Sequence, residues 1–302
     1  MTHGADPALC SLVRLQLPIA PPDAGAHDIA MRTAPIGGVE LAYRVDGEGE
    51  PVVLIHAAGL ADFFAPLHDS DLQKSALIIS YHRIGYGRSG PVTGPVEVVD
   101  QAEHCAALLE FLGYRSAHVV GHSSGGVIAL ELARRSPGMV STLCLLEPSL
   151  PVASSPQLSS AVMRPAFAAY LAGDHALAVD TFLAGVCGPD YPSRVDELLP
   201  GARRQAARDA GTLFGVEAPA VGRWKFDPQW LTDIRMPVLS VLGEWSDRVS
   251  PVSREAHELL LARLPRAEGY ILPRATHLLQ LHNAQDLAGA IARFIRAHAM
   301  DG

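Results

Sequence analysis

The chain of 302 residues is 48% hydrophobic and 19% charged, with a mean hydropathy of +0.16. That is enough apolar material to enclose a sizeable core and too much for a chain disordered throughout. Acidic residues number 32 against 24 basic ones, a net charge of -8 with the histidines neutral, which works against a phosphate backbone as ligand and excludes nucleic acid as the main partner.

Cys10, Cys105, Cys144 and Cys187 include no C-x-x-C pair and lack the density of a disulfide scaffold, so a reducing compartment is expected. The apolar runs break well before the ~20 residues a membrane span needs, and Arg14 interrupts the one N-terminal stretch that could serve as a signal segment. The expectation is a soluble, cytoplasmic protein with no membrane partner.

Residues 1–31 mix Ala, Pro and Asp without a sustained period and read as an N-terminal extension. Val39 to Val45 then alternates as a half-buried strand, and after the turn Asp46-Gly47-Glu48-Gly49 the run Val52-Val53-Leu54-Ile55 reads as a central one. Ser75 to Tyr81 is a second buried strand. Val96 to Leu112 has helical spacing and stops at Gly113. Ala117 to Gly121 is a strand, Ser124 to Arg135 a helix, and Leu143 to Leu146 a further short strand.

Such alternation implies parallel βαβ units, hence an α/β fold with a mostly parallel sheet covered on both faces. Over residues 148–230 the strand signal disappears, and Phe167, Tyr170, Phe182 and Phe214 recur at helical intervals, the pattern of a helical insertion. Pro237 to Gly243 restores a strand, Ser253 to Leu264 a helix, Tyr270 to Leu272 a strand and Asn283 to His298 a final amphipathic helix. The expected organisation is therefore a core over 32–147, a cap over 148–230 and a second core segment over 231–302.

The chemistry centres on Gly121-His122-Ser123-Ser124-Gly125-Gly126, placed between a predicted strand and a predicted helix. G-x-S-x-G in that context forms a nucleophile elbow, because a serine on so tight a turn needs small residues two positions to either side. The following helix aims free N–H groups and the positive end of its dipole at the same place, which makes Ser124 N–H an expected donor to a developing oxyanion.

A serine hydroxyl needs a base, and of 13 histidines His277 is the best placed, just beyond the last predicted strand at the carboxyl edge where α/β sites assemble. His118 and His122 read as packing or hydrogen-bonded residues. Asp247, directly after the Val238 to Leu242 strand, is the favoured orienting acid, and Ser, Asp, His then run in an order known for such triads. Glu147, after the Leu143 to Leu146 strand, is the alternative, and Glu244 reads as a solvated loop charge.

These pieces resemble an α/β-hydrolase with a helical cap, over about residues 32 to 299. The resemblance rests on Val53-Leu54-Ile55-His56, on Tyr81-His82-Arg83-Ile84-Gly85-Tyr86-Gly87-Arg88-Ser89, on the Ser123 elbow, on the Asp247 loop and on His277. It implies a second oxyanion donor at Ala58, with Ala57 as its neighbour, and a bracing role for His56.

Two departures stand out. His56-Ala57-Ala58-Gly59 replaces the usual His-Gly, and His82 and Ile84 replace the usual Asp and Arg of the second motif, with Arg83 displaced by one position.

The resemblance implies a serine hydrolase acting on a small hydrophobic carboxylic ester or lactone through an acyl-enzyme. A carbon–carbon bond hydrolase, a cofactor-free perhydrolase, or a ligand-binding module on a hydrolase scaffold are the alternatives. No metal or organic cofactor is called for, since clustered His/Cys ligands and nucleotide-binding glycine motifs are missing from the sequence. Phe167, Tyr170, Phe182, Phe214, Trp224 and Met163 are expected in the cap, as its core or as pocket wall. Homo-oligomerisation is left open.

Overall fold

The computed structural model describes residues 31–300. The expected N-terminal extension, residues 1–31, lies outside this range except for Met31. The described chain forms one eight-stranded sheet in the order β1-β2-β4-β3-β5-β6-β7-β8, with β1 Arg32–Ile36, β2 Val39–Asp46, β3 Pro51–Ile55, β4 Leu77–His82, β5 Ala117–His122, β6 Val140–Leu146, β7 Val238–Gly243 and β8 Ala267–Leu272. From β4 to β8 all neighbours are parallel, while β2 pairs antiparallel with both β1 and β4.

Burial explains the strand texts. Every residue of β3, β5 and β7 is buried, so these strands are continuous apolar runs covered on both faces, whereas β1, at the edge, is largely exposed. Strand β1 has no counterpart in the sequence reading. It contains Pro35, which an edge strand tolerates because one side of its ladder is unpaired.

Helix α1, Val98–Phe111, begins at a capping box in which Glu97 N–H donates to Asp100 Oδ2 at 2.7 Å. Helix α2, Ser124–Arg135, starts immediately after Ser123 and is buried along most of its length. Between β6 and β7 there is no strand, only helices including Arg164–Leu171, His175–Cys187, Tyr191–Leu198 and Ala202–Arg208, and a π-helical turn, Leu213–Glu217.

Phe214 is at the centre of this insertion. Its ring lies 5.3 Å from those of Phe167 and Tyr170 and 6.3 Å from that of Phe182. Trp224 departs from the expected cap cluster, stacking on Phe226 and donating through Nε1 to Glu131 of α2.

Buried polar contacts tie the insertion to the core. Arg83, 1% exposed, pairs with Glu217 at 2.8 Å and donates to Gln101 at 2.7 Å. Tyr86 O–H also donates to Glu217. Gly87 N–H donates to Asp209 at 2.9 Å, and Thr212 O–H to the Gly85 carbonyl at 2.8 Å. The shifted Arg83 is thus absorbed by a cap carboxylate, and His82 finds its own partner in Asp62 at 3.0 Å. Among the described residues no helix is long and apolar enough to cross a membrane.

Candidate active site

Strand β5 lies mid-sheet and ends at His122, and α2 begins two residues later. Ser123 between them has φ 54° and ψ -118°, a left-handed conformation that costs a non-glycine residue roughly 1–3 kcal/mol and persists only where packing over-determines it. The packing here is very close. A Cβ on Gly121 would sit 2.4 Å from the Gly125 carbonyl oxygen, and one on Gly125 would sit 2.1 Å from that of Ile55. The glycines let the helix start pass directly over the end of β3, beside the His56-Ala57-Ala58 loop.

His56 is buried. Its Nε2 accepts from Arg83 N–H at 3.0 Å and its Nδ1 lies 2.7 Å from the Ala57 carbonyl, so it braces that loop. Ala58, in the same loop, is partly exposed, and Ser124, the first residue of α2, has one of the N–H groups a helix leaves without an internal acceptor.

His277 is held by the turn that follows β8. Arg274 there takes a positive φ of 55°, and the Thr276 hydroxyl donates to the Cys187 carbonyl at 3.0 Å, fixing the loop against the insertion. His277 Nδ1 lies 2.7 Å from Glu147 Oε2. An ionised carboxylate only accepts, so Nδ1 carries the proton and Nε2 presents a lone pair.

Glu147 directly follows β6, with a positive φ of 43° and 2% exposure. Its Oε1 accepts from Gly243 N–H at 2.7 Å and from the Ser246 hydroxyl, and its Oε2 also accepts from the Ser253 hydroxyl at 2.8 Å. Burial pushes the Glu147 carboxyl upward, but the hydrogen bonds and charge of His277, with the Ser246 and Gly243 donors, outweigh it and leave the group below its ordinary range.

The expectation that Asp247 stands behind His277 is not met: Glu147 occupies that place. The Asp247 carboxylate is 41% exposed and pairs with Arg254 Nε. The end of β7 and the turn after it spend their inward-facing groups, Gly243 N–H and Ser246 O–H, on Glu147, and the short 3-10 turn Ser246–Arg248 carries the next side chain outward. Glu244 is a surface group as expected, accepting from Arg274 N–H at 2.8 Å.

His122 lies beneath the imidazole with its ring 4.7 Å from that of His277, and its Nδ1 accepts from Gln280 Nε2 at 3.1 Å. Burial, and secondarily His277, holds it well below the usual histidine range, so it stays neutral. His118 is a core residue paired with Thr142 at 2.8 Å.

One contact has no antecedent in the sequence reading: Ser123 Oγ is hydrogen-bonded to Ser149 Oγ at 2.9 Å. Ala57, Phe63, Leu183, Leu213 and Leu278, from core and insertion, are buried in one apolar cluster, in which the Phe63 ring lies 4.8 Å from that of His122.

Ser123 in strained geometry at the end of mid-sheet β5, and, 4.7 Å from the ring of the preceding His122, an imidazole held on a buried carboxylate, form a candidate site on an α/β scaffold. The model of the alpha/beta hydrolase family matches residues 52–290, and the chain belongs to that family. Over 113 residues, 36% of this chain and 42% of the relative, it is 35% identical to a protein of Azorhizobium caulinodans that carries the name "Putative carbamate hydrolase RutD". The chain thus matches less than half the length of that relative.

Over 278 residues, 90% of this chain and 71% of the relative, it is 27% identical to the dihydrolipoyllysine-residue acetyltransferase component of the acetoin cleaving system of Cupriavidus necator. Among solved structures, a thermophilic esterase from Thermogutta terrifontis superposes with a TM-score of 0.76 at 19% identity, covering 90% of this chain and 100% of the esterase. At that identity the likeness speaks for the fold.

Proposed function

We propose that this hydrolase cleaves a carboxylic ester or lactone through an acyl-enzyme formed on Ser123. The observation that carries the reading is the buried Glu147–His277 pair, with the His277 ring 4.7 Å from that of His122, the residue directly before Ser123 in its strained turn. His277 Nε2 takes the Ser123 proton as Oγ adds to the carbonyl carbon, and Glu147, not Asp247, holds the tautomer and stabilises the imidazolium. Ser124 N–H and Ala58 N–H receive the oxyanion. Each such donor is worth roughly 10²–10³ in rate.

His277 then protonates the leaving alkoxide, and water repeats the sequence to release the acid. The apolar cluster of Phe63, Leu183, Leu213 and Leu278, which meets the site where Phe63 packs on His122, favours a small to medium hydrophobic acyl group.

The test combines a fluorophosphonate probe with short p-nitrophenyl esters. The probe is expected to label Ser123, and Ser123→Ala is expected to lose both labelling and turnover. Ester hydrolysis at the parental rate by that variant overturns the reading. A panel of esters, lactones, carbamates and diketone ring-fission products, with products identified, then separates ester or lactone cleavage from carbon–carbon cleavage. Capture of a ligand without product over many hours would favour a binding module.

A further inference from the structure

We propose that Ser149 is a further catalytic residue: its hydroxyl donates a hydrogen bond to Ser123 Oγ when that oxygen carries negative charge. The proposal rests on the serine-hydrolase reading above and assigns a role that reading does not contain. Ser149 Oγ is 2.9 Å from Ser123 Oγ. Ser149 N–H also donates to the Ser123 carbonyl at 3.1 Å, so main chain and side chain are both fastened to the elbow.

The residue is pre-positioned from behind. Pro148 presses on α2, where a Cβ on Gly126 would come within 2.8 Å of it. Glu147, in turn, is anchored by donors from Gly243, Ser246, Ser253 and His277. One tripeptide, Glu147-Pro148-Ser149, thus supplies the carboxylate behind the base and a hydroxyl against the nucleophile.

Sheet order decides what that hydroxyl does. Strands β3 and β6 flank β5 on opposite sides, so Ser149 reaches Ser123 from the flank opposite to the His56-Ala57-Ala58 loop. It addresses the Oγ atom itself and not the carbonyl oxygen of the substrate, which the Ala58 side receives.

During deacylation a water proton passes to His277 Nε2 while the water oxygen adds to the acyl carbon and the carbonyl electron pair moves onto oxygen. On collapse the C–Oγ bond breaks, its electron pair returns to Ser123 Oγ, and His277 returns the proton to Oγ. Ser149 keeps its own proton throughout. Its hydrogen bond strengthens as charge arrives on Oγ, which stabilises the transition state of C–Oγ cleavage. The same charge develops on Oγ as it attacks in acylation, so the donor serves both half-reactions; with an activated ester, whose acylation is fast, the loss is read in deacylation.

The experiment uses the full chain with p-nitrophenyl acetate in stopped flow, followed by intact-mass measurement. Ser149→Ala is expected to lower kcat about tenfold or more, the size of one charge-assisted hydrogen bond. A burst approaching one equivalent of p-nitrophenol is expected, with acetylated Ser123 accumulating. Ser149→Thr, which keeps the hydroxyl, is expected to restore turnover. If Ser149→Ala does not fold, Ser149→Cys, with its weaker donor, is read in the same way.

Unchanged kcat, or a loss confined to kcat/KM without acyl-enzyme, overturns the proposal. Fluorophosphonate labelling of the parental protein keeps the two failures apart. A parental protein that labels and turns over, with an indifferent Ser149 variant, overturns only the role of Ser149, whereas one that does neither overturns the serine-hydrolase reading.

Discussion

Strands β6 and β7 lie side by side in the sheet, and each is followed by acidic residues with opposite fates. After β6, Glu147 turns inward through a positive φ, gathers three donors besides His277 and is almost wholly buried. After β7, Glu244 and Asp247 turn outward, one toward a surface N–H and the other toward Arg254. A carboxylate can be kept ionised away from water only where enough donors converge on it. The end of β7 and the loop after it supply two of those donors, Gly243 and Ser246, to their neighbour, and the acids of that loop are left to solvent.

The largest effect that can break this comparison is expected from Glu147→Gln. The amide cannot fix the Nδ1-protonated tautomer or stabilise the imidazolium, so kcat should fall by about 10³–10⁴, the scale seen when an orienting carboxylate becomes an amide. KM for p-nitrophenyl esters should change little. Steady-state kinetics over a range of ester concentrations check this, and a loss below tenfold would remove Glu147 from the role.

A smaller effect is expected in the pH dependence of stability. Because the folded Glu147 carboxyl lies below its ordinary range, it contributes stability that is fully present above the unfolded value of about pH 4.3 and is lost as pH falls through the folded value. Ser253→Ala removes one donor to Oε2, which raises the folded value and narrows that window. Urea unfolding at pH 7 and at pH 3.5 should therefore show a smaller acid-induced loss in Ser253→Ala than in the parent, with about 1.5–3 kcal/mol of stability lost at pH 7. An unchanged acid dependence would mean that Ser253 does not support the ionised carboxylate.

How much of this site could be read from the sequence follows from how local each signal is. The placement of Ser123 was legible because an elbow demands glycines at fixed offsets between a strand and a helix, and that of His277 because it follows the last strand at the sheet's carboxyl edge. Helix α2 was readable to its end residues, Ser124 and Arg135.

The acid was ambiguous because the choice depends on donors at positions 243, 246, 253 and 277, brought together only by strand order. Ser149 carried no local signal, since a serine after Glu-Pro looks like any loop residue until β6 is set beside β5. The cap aromatics were readable as a group, but the separation of Trp224 from Phe214 depends on α2, through Glu131.

The smallest expected effect sharpens the comparison from its other side. Asp247→Asn removes the negative charge from the half-exposed pair with Arg254, and pairs of that kind contribute only about 0–1 kcal/mol once solvent screening and side-chain entropy are counted. The carboxylate bonds neither the imidazole nor any donor of Glu147, so kcat on p-nitrophenyl esters should stay within about twofold of the parent, as expected for a surface change. The contrast with Glu147→Gln is the informative quantity, because both variants exchange one carboxylate for its amide at neighbouring strand ends. A loss for Asp247→Asn comparable to that for Glu147→Gln would mean that the β7 loop turns inward during turnover and that the acid role is shared between the two loops.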